Sequence, residues 1–340
     1  NLYLKDDTIN PSASSKDRAS AFAVMRALDS GAETIAVAST GNAGSSLACV
    51  AAAAGIKAVV FVPESAPVAK LTQALSFGAT VLAVRGSYDD AFEICLSAAS
   101  EFGWFNRSTG INPFTREGKK ICAWEIRASL DGRVPDRVVV PTGDGNLLSA
   151  MWKGWWELKA VGLIDRLPKI DCAQSLGSAA ISRTVHRIRN SESTNVRWSA
   201  VDVETVNAST VADSISVDRP RDGLAAVRAI IESGGEAIAV PDADILAAIP
   251  EMASLSGVFP EPAAAAPWAA VKQLVSDGKI AADELVVCLV SGNGLKDVAA
   301  AQSAVGQPQL IDLSLDAVKA AVFDNRPAPA RKRTESSKHR

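Results

Sequence analysis

The chain has 340 residues and a net charge of −3, with acidic and basic residues interspersed. This charge pattern argues against general nucleic-acid binding. Hydrophobic residues make up 48% of the chain, but no run reaches the roughly 18 to 20 apolar residues that a membrane span requires. The length is sufficient for two domains with a sizeable core.

The five cysteines are scattered, odd in number and mostly inside apolar segments. This usage predicts buried free thiols and a reducing cytoplasm as the location. With two histidines and no Cys-x-x-Cys pair, the sequence offers little for a structural zinc site or a histidine-based catalytic triad, so we expect no metal. No signal peptide is visible, and because the first residues already read as a strand, we expect the natural N-terminus to lie further upstream.

A short apolar strand over residues 2–5 precedes a loop over residues 10–18, and an alanine-rich helix follows. Lys16 lies in this loop among small residues, directly before the helix. The positive end of a helix dipole disfavours an ammonium, so the pKa of Lys16 should be lowered, which makes the amine a better nucleophile. Taken alone, Lys16 could equally be an ordinary solvated lysine.

Strands and helices then alternate along the chain. The first strands are β-branched and do not alternate with polar residues, which indicates a buried parallel sheet. In chain order, we predict strands at 34–38, 58–62, 81–84, 138–140, 170–173, 237–240 and 285–290, with helices between them. Residues 187–222 are polar and irregular and predict a surface excursion. The pattern as a whole predicts an α/β fold.

Two glycine-containing loops each lie between a predicted strand and a predicted helix, at residues 39–44 and 142–146. Unpaired backbone N–H groups at a helix N-terminus suit a carboxylate or a phosphate. Each loop alone could also be a plain helix cap or an Asp-Gly turn. A third loop of this kind, residues 291–294, follows the last strand.

The sequence Asn-Pro-Ser-Ala-Ser-Ser-Lys-Asp-Arg at residues 10–18 resembles the Asn-Pro-Thr-Gly-Ser-Phe-Lys-Asp-Arg stretch of threonine synthases. These are pyridoxal-phosphate (PLP) enzymes of the fold type II, tryptophan synthase β-like family. The resemblance runs from residue 2 to about 299 with the motifs in the same order. It implies two three-layer αβα domains with mostly parallel sheets and the cofactor in the cleft between them.

The resemblance also implies domain boundaries. A large PLP-binding domain would comprise residues 1–25 and 107–326, and a small mobile domain residues 26–106. The basic, polar tail at 327–340 is predicted to be disordered from its composition.

The resemblance assigns roles to the residues of the loops. Lys16 would be the catalytic residue that forms the Schiff base with the cofactor, and Asn42 would contact the cofactor's phenolic oxygen. The other residues of that loop would hold the substrate α-carboxylate: Ser39, Thr40, Gly41 and Ala43. The phosphate cradle would comprise Thr142, Gly143, Asp144, Gly145 and Asn146, in which Asp144 is discordant because a carboxylate repels a phosphate.

Ser291 is the hydroxyl that the resemblance places opposite the pyridine nitrogen. A hydroxyl does not hold that nitrogen protonated, which favours elimination and replacement chemistry over transamination. Glu261 either lies near the cofactor ring or simply begins a helix, and the sequence leaves both possibilities open.

The sequence departs from the family at the expected site for the substrate phosphate. The family pattern Asn-Ser-Val-Asn-Pro-x-Arg-x-Glu-Gly becomes Thr-Gly-Ile-Asn-Pro-Phe-Thr-Arg-Glu-Gly at residues 109–118. Asn112 is kept, but Thr115 occupies the arginine position, and Arg116 follows one residue later. An arginine fork is a major source of phosphate affinity, so this change matters for the substrate. Asn112, Thr115 and Arg116 are the candidates here.

The favoured function is conversion of O-phospho-L-homoserine and water to L-threonine and phosphate. The alternative is a paralogue that carries out β-replacement or α,β-elimination on another small amino acid, as a dehydratase-like or cysteate-synthase-like enzyme would. A non-enzymatic binding protein is a third hypothesis, against which the retained Lys16 and glycine loops argue. The resemblance further implies a homodimer with a small amino acid as its substrate, and the charge pattern and short apolar runs predict binding to neither nucleic acid nor membrane.

Overall fold

Short aliphatic and β-branched segments form two sheets in the computed structural model, which describes residues 1–66, 68–191 and 196–324. The first sheet has five strands in the order β1-β9-β6-β7-β8, and its strand pairs are parallel. Its strands are β1 (Leu2–Asp6), β6 (Arg137–Pro141), β7 (Lys169–Ser175), β8 (Ala237–Val240) and β9 (Val286–Val290). β6 and β9 are buried throughout, which explains the apolar sequence of residues 138–141 and 286–290.

The second sheet has four strands in the order β4-β3-β2-β5, again paired in parallel. Its strands are β2 (Thr34–Ala38), β3 (Lys57–Pro63), β4 (Thr80–Val84) and β5 (Phe105–Asn106). The strands that the sequence predicts here are confirmed, while the two-residue β5 is an addition. These observations confirm the predicted α/β fold with parallel sheets.

Helices cover both faces of each sheet. They are α1 (Lys16–Asp29), α2 (Asn42–Ala54), α3 (Val68–Ser76), α4 (Tyr88–Phe102), α5 (Phe114–Ser129), α6 (Asn146–Ala160), α7 (Ala180–Arg189), α8 (Gly223–Ser233), α9 (Asp242–Ser256), α10 (Pro262–Ser276), α11 (Val298–Val305) and α12 (Leu315–Lys319). On one face of the large sheet Val138 packs with Trp155 of α6, and on the other Val139 packs with Ala270 of α10. Alternate residues of one strand thus face opposite cores, as a three-layer arrangement requires.

The polar segment after α7 differs from the sequence prediction. Residues 196–222 are irregular, but Ala212 and Ile215 are buried in the core between the large sheet and α10. The segment also supplies residues to the cavity described below. It is therefore only in part a surface excursion, because single apolar residues anchor an otherwise polar chain.

Residues 1–304 form one compact unit that contains both sheets, and the following residues belong to a second unit. In that second unit α12 buries none of its residues. The sequence sets the end of the large domain later, at 326, and the predicted disordered tail at 327–340 lies outside the described residues. The boundary near 26 falls inside α1.

Four of the five cysteines are buried and Cys49 is partly buried, and all five are free thiols, as predicted. Among the described residues, no group of three His, Cys, Asp or Glu side chains could hold a metal ion. The helices in the described ranges are all too short or too polar to cross a membrane.

Candidate active site

A cavity of about 770 Å³ lies where strands of both sheets end. Its wall includes residues 37–43, from the end of β2 into α2, residues 141–148, from the end of β6 into α6, and Ser291 after β9. The crevice beyond the carboxyl ends of parallel strands is the usual ligand position in such sheets. The cavity brings together the following residues that the sequence singles out: Lys16, Ser39, Thr40, Gly41, Asn42, Ala43, Thr142, Gly143, Asp144, Gly145, Asn146 and Ser291.

Lys16 is the first residue of α1 and lines this cavity. Its Nζ forms no hydrogen bond or ion pair with the part of the chain that the structure describes. Burial is the largest influence on the pKa of the amine and lowers it; Glu261 opposes the shift and Arg107 adds to it. The sequence analysis predicted a lowered pKa from the helix terminus, and the structure gives burial as the main cause.

The two residues after Lys16 fix the loop that carries it. The Asp17 carboxylate accepts hydrogen bonds from the Ser12 backbone N–H, at 2.7 Å, and from the Ser12 hydroxyl. Arg18 donates to Asp7, directly after β1, and to Glu125 of α5. The Lys-Asp-Arg sequence therefore ties the start of α1 to the large sheet and to α5.

We expect Glu125→Gln to lower stability in a pH-dependent way. Hydrogen bonds from Arg18 and then Lys5, opposed by burial, lower the pKa of Glu125 from its ordinary value of 4.5 to about 2. A carboxylate with a depressed pKa stabilises the fold above the unfolded pKa and loses this contribution as the pH falls toward the folded pKa. The Glu125 side chain is 43% exposed, so the loss at neutral pH should be only about 1 kcal/mol.

Urea unfolding of both proteins at neutral pH and at successively lower pH measures this effect. The difference between wild type and Glu125→Gln should shrink as the pH falls from 4.5 toward 2. A difference that stays constant across this range would contradict the assignment.

The loop after β2 leads into α2 at Asn42, and its shape depends on Gly44. A Cβ at Gly44 would lie 2.7 Å from the Ser39 carbonyl oxygen, so a larger residue would push the loop apart. The Asn42 amide donates to both Glu261 oxygens at 2.9 Å and to the Ser214 hydroxyl at 3.2 Å. Asn42 is thereby held in place at the cavity wall.

Glu261 is buried and lies in an adjoining cavity of about 450 Å³, which Asn42 also lines. Burial raises the pKa of its carboxyl group, while Asn42 and Lys16 favour the charged form. The sequence left open whether Glu261 lies near the cofactor ring or only begins a helix. In the structure it contacts Asn42 on the cavity wall. It is also the residue that directly precedes α10.

The loop after β6 presents free backbone amides at the N-terminus of α6. Gly145, with φ of +86°, directly precedes this helix, and no side chain caps the helix start. A Cβ at Gly145 would lie 2.8 Å from the Asp222 carbonyl oxygen, so only glycine fits. Unpaired amides at a helix N-terminus form a ready anion site.

Asp144 was discordant in a predicted phosphate cradle, and its contacts explain how it is accommodated. Its Oδ1 accepts a hydrogen bond from the Arg221 backbone N–H at 3.2 Å, and its carbonyl accepts from the Asp222 N–H at 3.0 Å. The carboxylate is therefore engaged with the neighbouring loop. Asp222 in turn accepts from the Asn146 amide at 2.7 Å.

Ser291 completes the set at the end of β9. It is buried on the cavity wall, and its carbonyl oxygen accepts a hydrogen bond from the Ser15 N–H at 2.8 Å. This bond ties the end of β9 to the loop that carries Lys16.

Three residues predicted to bind the substrate are not on the wall of this cavity: Asn112, Thr115 and Arg116. The Thr115 hydroxyl donates to the Asn112 carbonyl at 2.8 Å, within the first turn of α5. The Asn112 amide donates to the Asn106 carbonyl at 2.8 Å, and Arg116 pairs with Asp222. Their polar atoms hold the turn before α5 and the loop beside α6.

Two buried cationic residues that the sequence did not single out, Lys119 and Arg107, line the cavity. Lys119 of α5 is buried and donates to the Asn146 Oδ1 at 2.5 Å. Burial lowers its pKa well below the ordinary value, and the charges of Lys16 and Arg107 add to the shift. Arg107 directly follows β5 and is also buried. If β5 could be recognised as a strand in the sequence, Arg107 would be predicted at the same edge of the sheet as the loop after β2.

Comparisons with known proteins agree with this geometry. Residues 1–292 match the family model described as "Pyridoxal-phosphate dependent enzyme". A threonine synthase of Methanosarcina acetivorans is 39% identical over 323 residues, which is 95% of this chain and 77% of that protein. A threonine synthase of Methanocaldococcus jannaschii is 38% identical, over 94% of this chain and 76% of that protein.

Solved structures show the same fold at lower sequence identity. Maize serine racemase superposes with a TM-score of 0.74 at 19% identity, over 89% of this chain and 86% of that one. A threonine deaminase of Solanum lycopersicum superposes with a TM-score of 0.72 at 20% identity, over 90% of this chain and 82% of that one.

Proposed function

The chain belongs to the threonine synthase family of pyridoxal-phosphate-dependent enzymes, and from this membership we propose that it converts O-phospho-L-homoserine and water to L-threonine and inorganic phosphate. The observation that carries the proposal is one cavity in which Lys16, an amine with a lowered pKa, lies with two helix N-termini. One terminus suits the α-carboxylate of an amino acid and the other suits a phosphate.

The residues present fit the cofactor. The backbone amides at the N-terminus of α6, which follows Gly143 and Gly145, would hold the cofactor phosphate. The close packing at Gly145, where a Cβ would contact backbone atoms, keeps this loop in the required shape. Lys16 would carry the cofactor, and Asn42 and the Ser291 hydroxyl would flank its ring. The cavity of about 770 Å³ is ample for the cofactor together with a small amino acid.

When bound, PLP supplies an electron sink for charge that develops at the carbon bearing the amino group. The chain's own residues do the remaining work. The loop of Ser39 and Thr40 orients the substrate through its carboxylate. Lys16 accepts and returns protons at the α, β and γ carbons, which a lowered pKa favours at neutral pH. Asn42, which Glu261 holds in place, would contact the ring of the bound cofactor.

A second candidate function is a paralogue that acts on another small amino acid by β-replacement or α,β-elimination. The observation that favours it is Thr115 at the position of the family's arginine, with its hydroxyl engaged in its own turn. Loss of that arginine removes one expected contact with a substrate phosphate.

Product analysis with the holoenzyme separates the two functions. O-phosphohomoserine should yield threonine and inorganic phosphate in equal amounts, while serine, threonine and O-phosphoserine should react much more slowly. Release of an oxoacid from serine or threonine, with O-phosphohomoserine left intact, would contradict the synthase proposal and favour the second candidate. The homodimer and cytoplasmic location that the family resemblance implies are parts of the same proposal.

A further inference from the structure

Arg107 is a buried cation that forms no direct ion pair with any residue that the structure describes. It is 1% exposed, its Nε donates to the Ser20 hydroxyl at 3.3 Å, and its Nη2 has no partner among the described residues. No ion pair to it is found in the described ranges. Burial lowers the pKa of its guanidinium to about 10, so it stays charged at neutral pH. An unpaired buried charge is costly, and such a cost is typically retained where a ligand offsets it.

The residues that carry these unpaired donors line the cavity that contains Lys16. Arg107, Ser108 and Thr109 follow one another on its wall. The Ser108 hydroxyl is buried and also has no hydrogen-bond partner in the described part of the chain. The Arg107 Nη2 and the Ser108 hydroxyl belong to consecutive residues and both lack an acceptor in the described part of the chain. Donors of these two kinds match the oxygens of a tetrahedral anion.

The cofactor phosphate does not require Arg107. The α6 terminus provides its own amides, and Lys119 already contacts Asn146 at that terminus. The amino acid carboxylate is likewise provided for at the α2 terminus. Arg107 therefore remains available for a third anionic group, one that only the side chain of the substrate can bring.

We propose that Arg107, assisted by Ser108, binds the phosphate on the side chain of the substrate and takes over the role that the family pattern gives to an arginine at the position of Thr115. The inference rests on the proposed function and deepens it. It makes Arg107 the residue that restricts the enzyme to amino acids with a phosphorylated side chain.

A binding experiment tests this independently of turnover. Inorganic phosphate is the probe, and the holoenzyme is used so that the cofactor fills the α6 terminus. Wild type should show a rising melting temperature with phosphate. Arg107→Met, which keeps the length but removes the charge, should lose this rise. Without phosphate it should melt at or above the wild-type temperature, because an unpaired buried charge is gone.

Arg116→Gln is the matched competing variant, because Arg116 is the arginine that the sequence places nearest the expected position. It should keep the phosphate-dependent rise. A rise retained in Arg107→Met, or lost only in Arg116→Gln, would overturn the proposal. A melting temperature of Arg107→Met far below wild type at all phosphate concentrations would assign Arg107 a structural role instead.

Kinetics provide the second readout. For O-phosphohomoserine, kcat/KM should fall about 100-fold in Arg107→Met, mostly through KM, as expected for loss of charge-assisted hydrogen bonds to a phosphate. Arg107→Lys should lose about 10-fold, because it keeps the charge but not the two-pronged geometry. If Arg107→Met does not fold, the kinetics of Arg107→Lys test the proposal instead. An unchanged KM of Arg107→Lys for O-phosphohomoserine would overturn it.

The outcomes separate this inference from the proposed function. Phosphate binding that depends on Arg107 in a protein that forms no threonine would sink the proposed function and leave the anion site standing. Threonine formation with an unchanged KM in the Arg107 variants would support the proposed function and overturn the anion site at Arg107.

Discussion

Lys16→Ala is expected to lower threonine formation from O-phosphohomoserine by about 10³-fold or more, because this residue both carries the cofactor and moves protons. Lys16 is the cavity lysine whose Nζ forms no hydrogen bond or ion pair with the described residues. Burial lowers the pKa of its amine, which favours the neutral form that both roles require. Steady-state phosphate release, together with amino-acid analysis, measures the loss.

Lys272→Ala is the matched control for this variant. Lys272 lies on α10, its side chain is 56% exposed, and it pairs with Glu251. This variant should keep wild-type activity. A Lys16→Ala protein that is folded, by its melting temperature, and that still forms threonine within tenfold of wild type would contradict the assignment of Lys16.

Gly145→Ala is expected to weaken cofactor binding by about 10- to 100-fold, since the added methyl combines backbone strain with a clash. Gly145 has φ of +86°, and its Cβ would lie 2.8 Å from both the Asp222 carbonyl oxygen and the Ala226 Cβ. Relief of this clash would displace the loop and the first amides of α6 that are proposed to hold the phosphate. Titration of the apoprotein with PLP, followed by visible absorbance, gives the affinity.

Gly162→Ala is the control that separates the effect of backbone strain from the effect of the steric clash. Gly162 follows the other end of α6 with φ of +75°, and no atom lies within 4 Å of its added Cβ. It should lose about 1 kcal/mol of stability from the left-handed conformation and keep cofactor affinity unchanged. Equal cofactor affinities for the two alanine variants would contradict the position of the cradle.

The main loops of the site could be predicted because the ends of the strands can be recognised in the sequence. The loops at 39–44 and 142–146 follow aliphatic strands and precede helices, and the structure brings both to the cavity that Lys16 lines. The carboxyl ends of parallel strands lie at one edge of a sheet. Loops that follow such strands can therefore be predicted to lie close together, however far apart they are in the sequence.

Arg107 could not be predicted in this way, because its strand is too short to produce a pattern. β5 has two residues, and it pairs only with β2 at the edge of the small sheet. Lys119 was missed for a different reason. It lies on an amphipathic helix, where a lysine reads as a solvated face, yet it is only 2% exposed.

Thr115 shows the limit of motif alignment. The alignment gives it the place of a phosphate-binding arginine, but α5 begins at Phe114 and turns the Thr115 hydroxyl back to the Asn112 carbonyl. A hydroxyl in the first turn of a helix can donate to a nearby backbone carbonyl, whereas an arginine at this position would have to extend beyond the turn. The local backbone, which the motif does not encode, decides the contact.

Lys16, and not the second buried lysine of the cavity, is proposed to carry the cofactor. Both Lys16 and Lys119 line the cavity and have lowered pKa values, but Lys119 donates to Asn146. Borohydride reduction of the holoenzyme fixes the cofactor covalently to the amine that carries it, and peptide mass spectrometry then locates the modification. We expect the modification on Lys16; its presence on Lys119, or on no lysine of this cavity, would contradict the assignment of Lys16.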